Sequence, residues 1–445
     1  MTKPNVILFF TDQQRFDTTG VHGNPMGLTP HFDRLARAGT HFANAFTVQP
    51  VCGPARSALQ TSKYPTETGC WCNGRPLPED AVTMAQCFKQ GGYDTGYIGK
   101  WHLAGAEPVP AHQRGGHDFW RGANLLEFVS DAYDTVLFDE DGQECRLPGY
   151  RVDAMTDEAI RYVTDPRDRP FFLTMSFLEP HHQNSVDAYP APDGWDAACP
   201  PVWTPPDLAS LGGTAHQQLK GYYGMVKRLD DALGRLMDAL KSSGQIDNTI
   251  VFFLSDHGCH FKTRNGEYKR SCHEASIRVP MMATGAGFDG GGQVRGMMSI
   301  LDIAPTLLEA AGLNVPNDMQ GRSILPLLSA PKTAWRKDLM IQISESQTAR
   351  ALRTGRWKYA VSAPEGTEPQ ARASTYHETE LYDLAHDPYE LENLIGCASH
   401  VDVAAEMRRR LLAQLATYED ATPDIVPADP RPTIGQRKVA PADIW

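Results

Sequence analysis

Four short apolar runs, each ending abruptly in polar residues of reactive type, constrain this chain more than any other feature. They are NVILFF (5–10), YDTGYIG (93–99), PFFLTMSF (170–177) and TIVFFL (249–254). Rich in β-branched and aromatic residues and separated by helical patterns, they predict a mostly parallel sheet covered by helices on both faces. The runs lead directly into Thr11-Asp12-Gln13-Gln14, Lys100-Trp101-His102, Glu179-Pro180-His181-His182 and Ser255-Asp256-His257-Gly258. Ligands of open α/β sheets bind beyond the carboxyl ends of the strands, so these four distant segments are expected to converge on one site.

Helices are predicted over TPHFDRLARAG (29–39) and APTLLEAAG (304–312), each stopped by its last glycine, and over the long amphipathic stretch 221–244. With 445 residues and 41% hydrophobic content, the chain can bury one large α/β unit and a smaller appended one. We place the catalytic unit at 1–335 and a C-terminal subdomain at 336–445. The latter should hold an antiparallel sheet containing LMIQIS (339–344) and RWKYAVS (356–362), a helix over 401–418 and an extended Pro-rich tail over 419–445. That tail should lie on the body or embrace another subunit of a homo-oligomer.

A net charge of −12 argues against nucleic acid as a partner, while leaving room for a local cationic pocket. No stretch approaches the ~18 uninterrupted apolar residues of a membrane span, and the N-terminal apolar run is too short for a secretory signal. Nine cysteines without paired zinc spacing or a disulfide framework fit a reducing cytoplasm, and Cys70-x-Cys72 reads as two ordinary thiols.

The strongest local signal is Val51-Cys52-Gly53-Pro54-Ala55-Arg56, continuing into SALQTSKYPTETG. Here the chain resembles the sulfatase family, whose maturation motif is C-x-P-x-R leading into a helix. The segments TPHFDRLARAGTHFANAF, GYDTGYIGKWHL, FFLTMSFLEPHH, TIVFFLSDHG, SIRVPMM, ILDIAPTLLEAAGL and ELYDLAHDPYELENL extend the resemblance in the family's order. The resemblance implies an alkaline-phosphatase-like α/β sandwich. It also implies that a formylglycine-generating enzyme oxidises Cys52 to formylglycine, which hydrates to a gem-diol. One hydroxyl can attack the ester and the other can be deprotonated to expel the product, so no second water attack is required.

The same resemblance implies a divalent cation held by Asp12, Gln13, Cys52, Asp256 and His257. Related sulfatases usually present Asp-Asp and Asp-Asn to calcium. Asp-Gln and Asp-His here resemble the phosphonate monoester hydrolase and choline sulfatase branches. Calcium is the first expectation, with manganese or another transition ion admitted by the imidazole. Lys100 and His102 should share a face if their strand continues. By resemblance Lys100 neutralises sulfate oxygens, His102 takes a proton from the formylglycine hydroxyl, and Arg56 anchors the nucleophile. His181 or Lys269 serves the leaving oxygen.

Asn73 resembles an active-site asparagine of the phosphonate hydrolase branch. His182, Gln183, Asn184, His260, Lys262, Arg264 and His273 crowd the flanking segments, a lining suited to a hydroxylated, multiply anionic substrate such as a sulfated sugar. Of these, His182, Lys262, Arg264 and His273 are taken with Asn73 as substrate-binding. Asp17, Glu390 and Glu392 read as surface or capping residues. The resulting expectation is a sulfuric ester hydrolase, with phosphonate monoester or phosphodiester hydrolysis at the same site as the alternative and non-catalytic anion binding as a remote one.

Overall fold

The computed structural model describes residues 3–330, 333–433 and 435–444. Met1 and Thr2 of the N-terminal stretch, and Ile434 and Trp445 of the Pro-rich tail, lie outside the described residues. Its strands are β1 (Asn5–Thr11), β2 (Thr40–Phe42), β3 (Ala45–Phe46), β4 (Asp94–Lys100), β5 (Phe119–Ala123), β6 (Thr135–Phe138), β7 (Glu144–Leu147), β8 (Phe171–Ser176) and β9 (Thr249–Ser255). Further along the chain come β10 (Met281–Thr284), β11 (Gly292–Val294), β12 (Met298–Ser299), β13 (Asp338–Ile343), β14 (Ala349–Thr354), β15 (Trp357–Ser362), β16 (Thr375–Asp383) and β17 (Asp424–Val426).

Ten strands form one sheet in the order β11-β2-β10-β9-β1-β8-β4-β5-β6-β7. Its centre, β9-β1-β8-β4-β5, is parallel, as the four apolar runs predict. Alternation along β1 explains the two-sided cover: Val6, Leu8 and Phe10 enter one core while Ile7 and Phe9 enter the opposite one. Helices Cys52–Thr61, Met84–Gln90 and Ile303–Ala310 close the first face; Pro30–Ala38, Arg151–Thr164 and Ala215–Ser242 close the second. Each large apolar side chain so buried contributes about 1.5–3 kcal/mol.

The longest helix begins before the predicted Gly221. It runs through that glycine because the chain at Tyr189 lies against it: a Cβ there would stand 2.2 Å from the Tyr189 carbonyl oxygen. Close approach, not a helix start, accounts for the residue.

The second sheet has the order β13-β14-β15-β16-β17. Its first four strands are antiparallel, but β17, from the Pro-rich tail, joins β16 in parallel. Leu339, Met340 and Trp357 of this sheet share one core with Met407 and Leu411 of helix Val401–Tyr418 and with Val6 and Leu8 of β1. The tail also bridges Arg431 to Cys397 and buries Ile444 in that core, so these parts of it lie against the body. No helix among the described residues is long and apolar enough to cross a membrane. All nine cysteines are unpaired.

Candidate active site

Strand register assembles the site. Thr11 pairs with Ser255, so Asp12 and Asp256 leave neighbouring strands at the same level. Ser176 of β8 pairs with both Phe10 and Gly99, which brings Lys100 alongside. β4 ends at Lys100, and His102 is itself left-handed (φ 59°), so strand alternation does not extend to it. A turn, not a shared strand face, brings its side chain to the cavity that Cys52 also lines.

Cys52 opens the helix Cys52–Thr61, with Pro54 in the first turn, where no backbone donor is needed. Asn73 accepts the Gly53 N–H through Oδ1 at 3.0 Å and so fixes that turn. The sulfur of Cys52 is buried 3.3 Å from His257 Nε2, 3.6 Å from Asp12 Oδ1 and 2.9 Å from Lys269 Nζ. Burial raises the pKa of this thiol, but Lys100 and Lys269 outweigh it and hold the thiol well below its usual range.

Asp12, Cys52, Asp256 and His257 bring four potential ligand atoms within 4.8 Å of one another. His257 Nδ1 lies 2.9 Å from the Gly258 carbonyl, which can only accept, so Nδ1 carries the proton and Nε2 turns a lone pair toward the cluster. Asp256 Oδ1 accepts from two backbone amides, at Gln13 and His257, while its Oδ2 has no hydrogen-bond partner. Burial, then the neighbouring Asp12, lifts the Asp256 carboxyl to about 6. Gln13 (φ 67°) donates Nε2 to Tyr189 Oη at 2.9 Å and leaves Oε1 buried without a donor. Two buried acceptors without a hydrogen-bond donor, one of them 3.5 Å from Arg56 Nη2, together with a lone pair and a second carboxylate suit a divalent cation. The residues present therefore fit the ion that the sequence implies.

Around this cluster the cations are paired. Arg56 donates to Asp12 Oδ2 at 3.0 Å, and to the Lys100 carbonyl and Ser176 Oγ at 2.7 Å each. Lys100 donates to Asp12 Oδ2 and Glu127 Oε1, each at 2.9 Å, and all three side chains are buried. Lys269 Nζ reaches His181 Nε2 at 3.1 Å, and His181 Nδ1 donates to the His182 carbonyl at 2.6 Å. The His181 ring is thereby neutral, with Nε2 accepting. Burial and Lys269 hold its pKa below the ordinary value.

Above Cys52 lies a cavity of about 720 Å³. Of the predicted substrate residues, Asn73, His182, Asn184 and Lys262 line it, as do His102, His181 and Lys269. Arg264 and His273 do not: Arg264 donates to the Tyr389 carbonyl, and buried His273 faces Tyr382 Oη of β16 at 3.2 Å. Gln183 instead ties Arg151 to the Glu127 and Ser130 carbonyls, and His260 holds the Lys269 carbonyl. Asp17 and Glu390 are not surface residues. Asp17 is buried against Arg15 at 2.7 Å, and Glu390 is buried against Lys358 at 2.6 Å while accepting the Glu274 N–H. Sequence reasoning misses Glu127, Arg75, Arg270 and Glu345, all in the cavity wall. Only Arg270 carries a signal, its adjacency to Lys269.

The chain is also similar to known proteins over most of its length. A Sulfatase family model matches residues 4–313, and one for the N-sulphoglucosamine sulphohydrolase C-terminal region matches 266–417. An ulvan-active sulfatase of Formosa agariphila is 31% identical, over 94% of this chain and 82% of the relative. An N-acetylglucosamine-6-O-sulfatase of Bacteroides thetaiotaomicron is 26% identical, over 95% and 88%. A protein solved in complex with its substrate D-glucosamine-2-N,6-O-disulfate shares the fold with a TM-score of 0.78, at 24% identity over 95% of this chain and 99% of that one. By motif, sheet topology and these matches together, the chain belongs to the sulfatase family, with its alkaline-phosphatase-like fold.

Proposed function

We propose that the protein is a sulfuric ester hydrolase that removes sulfate from a sulfated carbohydrate, with Cys52 matured to formylglycine by a formylglycine-generating enzyme. The observation that carries this reading is the setting of Cys52, which is buried at a helix start within reach of a metal-suited cluster, His102 and Lys269. The names of the relatives, one ulvan-active and one acting on N-acetylglucosamine 6-O-sulfate, support a carbohydrate substrate. The unpaired cysteines support a reducing, cytoplasmic setting.

Hydrated formylglycine supplies one hydroxyl for attack at sulfur and a second whose deprotonation releases sulfate. Asp12, Gln13, Asp256 and His257 would hold a divalent ion, which would supply positive charge against the ester oxygens and acidify the attacking hydroxyl. Calcium is the first assignment, and the His257 imidazole extends the site to manganese.

The chain's own groups divide the remaining work. Arg56, locked onto Asp12, the Lys100 carbonyl and Ser176, fixes the nucleophile's surroundings; Lys100, clamped by Asp12 and Glu127, neutralises sulfate oxygens. His102, which lines the cavity together with Cys52, takes the proton whose loss ends the cycle. Since Nε2 of His181 already accepts from Lys269, Lys269 is the group that protonates the departing sugar oxygen, and His181 orients it.

The test joins peptide mass spectrometry of the Cys52 segment to turnover of 4-nitrophenyl sulfate and bis(4-nitrophenyl) phosphate by wild type and Cys52→Ala. Formylglycine with sulfate turnover that Cys52→Ala abolishes is the expected result. Fully converted, metal-loaded protein that cleaves only the diester would sink the sulfatase reading and establish the phosphodiesterase one.

A further inference from the structure

We infer that Arg75 forms a second anion subsite beside the cleaved ester, so that the sugar substrate carries another anionic group near the scissile sulfate. The inference rests on sulfate ester cleavage at Cys52.

Charge accounting along the cavity wall leads to this residue. Lys269 is engaged with Cys52 at 2.9 Å and His181 at 3.1 Å, and Lys262 with Asp187 at 3.1 Å. Arg270 sits between Glu267 and Glu345, which neutralise it. Arg75 lines the same cavity and is exposed, yet among the described residues it makes no ion pair. It lies over the Trp71 ring, with the guanidinium carbon 4.3 Å from the centroid.

The geometry holds Arg75 without satisfying it. Stacking on an indole fixes the guanidinium plane while leaving its N–H edge free for an oxyanion. The preceding turn supplies the projection: Gly74 is left-handed at φ 80°, a conformation other residues rarely adopt. The residue before it, Asn73, bonds Gly53 N at 3.0 Å, next to the nucleophile. A bidentate-capable arginine is thus tied within two residues to the helical turn bearing Cys52. A sulfate or carboxylate on the same or the adjoining sugar residue would supply the oxygens it lacks.

The test compares kcat/KM for a monosulfated disaccharide, the same disaccharide with a second sulfate, and the same with a uronate carboxylate. Wild type should prefer the dianionic sugars, and the preferred one identifies the group. Arg75→Ala should cut that preference roughly 10- to 100-fold, mainly through KM, with Arg75→Lys keeping a fraction of it. An unchanged preference ratio in Arg75→Ala, or no preference in wild type, overturns the inference. Calorimetric binding of the three sugars to Cys52→Ala protein, read by the same ratio, keeps the question separate from catalysis: wild type that cleaves no sulfate ester refutes the proposed function, whereas equal binding in the Cys52→Ala and Cys52→Ala/Arg75→Ala proteins refutes the subsite.

Discussion

The strand-edge half of the site and the loop-built cavity wall are made differently. At the edge, Asp12, Lys100, Asp256 and His257 are all 0% exposed, and every cation there is matched to a carboxylate or carbonyl. In the wall, Arg75 is exposed and Lys262 and Arg270 are partly so, borne on turns rather than on the sheet. A buried charge is tolerable only when paired, so the edge is rigid and leaves little freedom in what it does. The wall can change its side chains at small energetic cost, so it can decide which substrate is presented.

Removing the link between the two halves is expected to give the largest effect. Lys269 lies in the wall but touches Cys52, so Lys269→Ala should lower kcat about 10²- to 10³-fold. The loss should be smaller for 4-nitrophenyl sulfate, whose leaving group needs no proton, than for a sugar sulfate. Equal losses on both would assign Lys269 to the sulfate oxygens instead.

A smaller effect is expected at Glu345, which comes from the β13–β14 hairpin. Its Oε2 accepts the Asn73 N–H at 2.7 Å and its Oε1 pairs with Arg270, so one carboxylate joins the two segments flanking Cys52. Glu345→Gln should raise KM for a sugar sulfate roughly 3- to 10-fold, the loss of one charge-assisted bond at a half-exposed position, and leave kcat nearly intact. Parallel losses in kcat would mean that wall and edge are not separable.

A further effect concerns stability and lies outside both halves. His117 packs against Tyr97 and Trp101, and burial pushes its pKa down to about 3. Between that value and the unfolded value of ~6.5 the unfolded chain binds the extra proton, so stability falls as pH drops through this window. His117→Phe should flatten the slope of unfolding free energy against pH there by up to about 1.4 kcal/mol per unit, measured by denaturant titration. An unchanged slope would show that His117 protonates in the folded protein.

The edge is legible in the sequence because its residues come straight from strand periodicity: an apolar run, then Asp12, Lys100, His181 or Asp256. Register among β9, β1, β8 and β4 then does the assembling, and each partner strand is itself recognisable. The wall has no such logic. Glu127 sits in a four-residue helix with no motif, and its tie to Lys100 depends on β4 and β5 being neighbours. Arg264 and His273 fall outside the cavity because proximity in sequence to Lys269 says nothing of side-chain direction. Asp17 departs from its surface reading for a related reason: its charge is absorbed by Arg15, which also binds the distant Asp207.

The single apolar core that runs from β1 to the second sheet ties the cavity wall to the stability of the fold. The hairpin bearing Glu345 grows out of strands whose inward residues belong to that core, so the sheet that braces the cavity wall also braces the whole fold. A substitution at the hairpin's tip therefore alters the cavity wall alone, while a large-to-small one in its stem opens a void in the core that both sheets share.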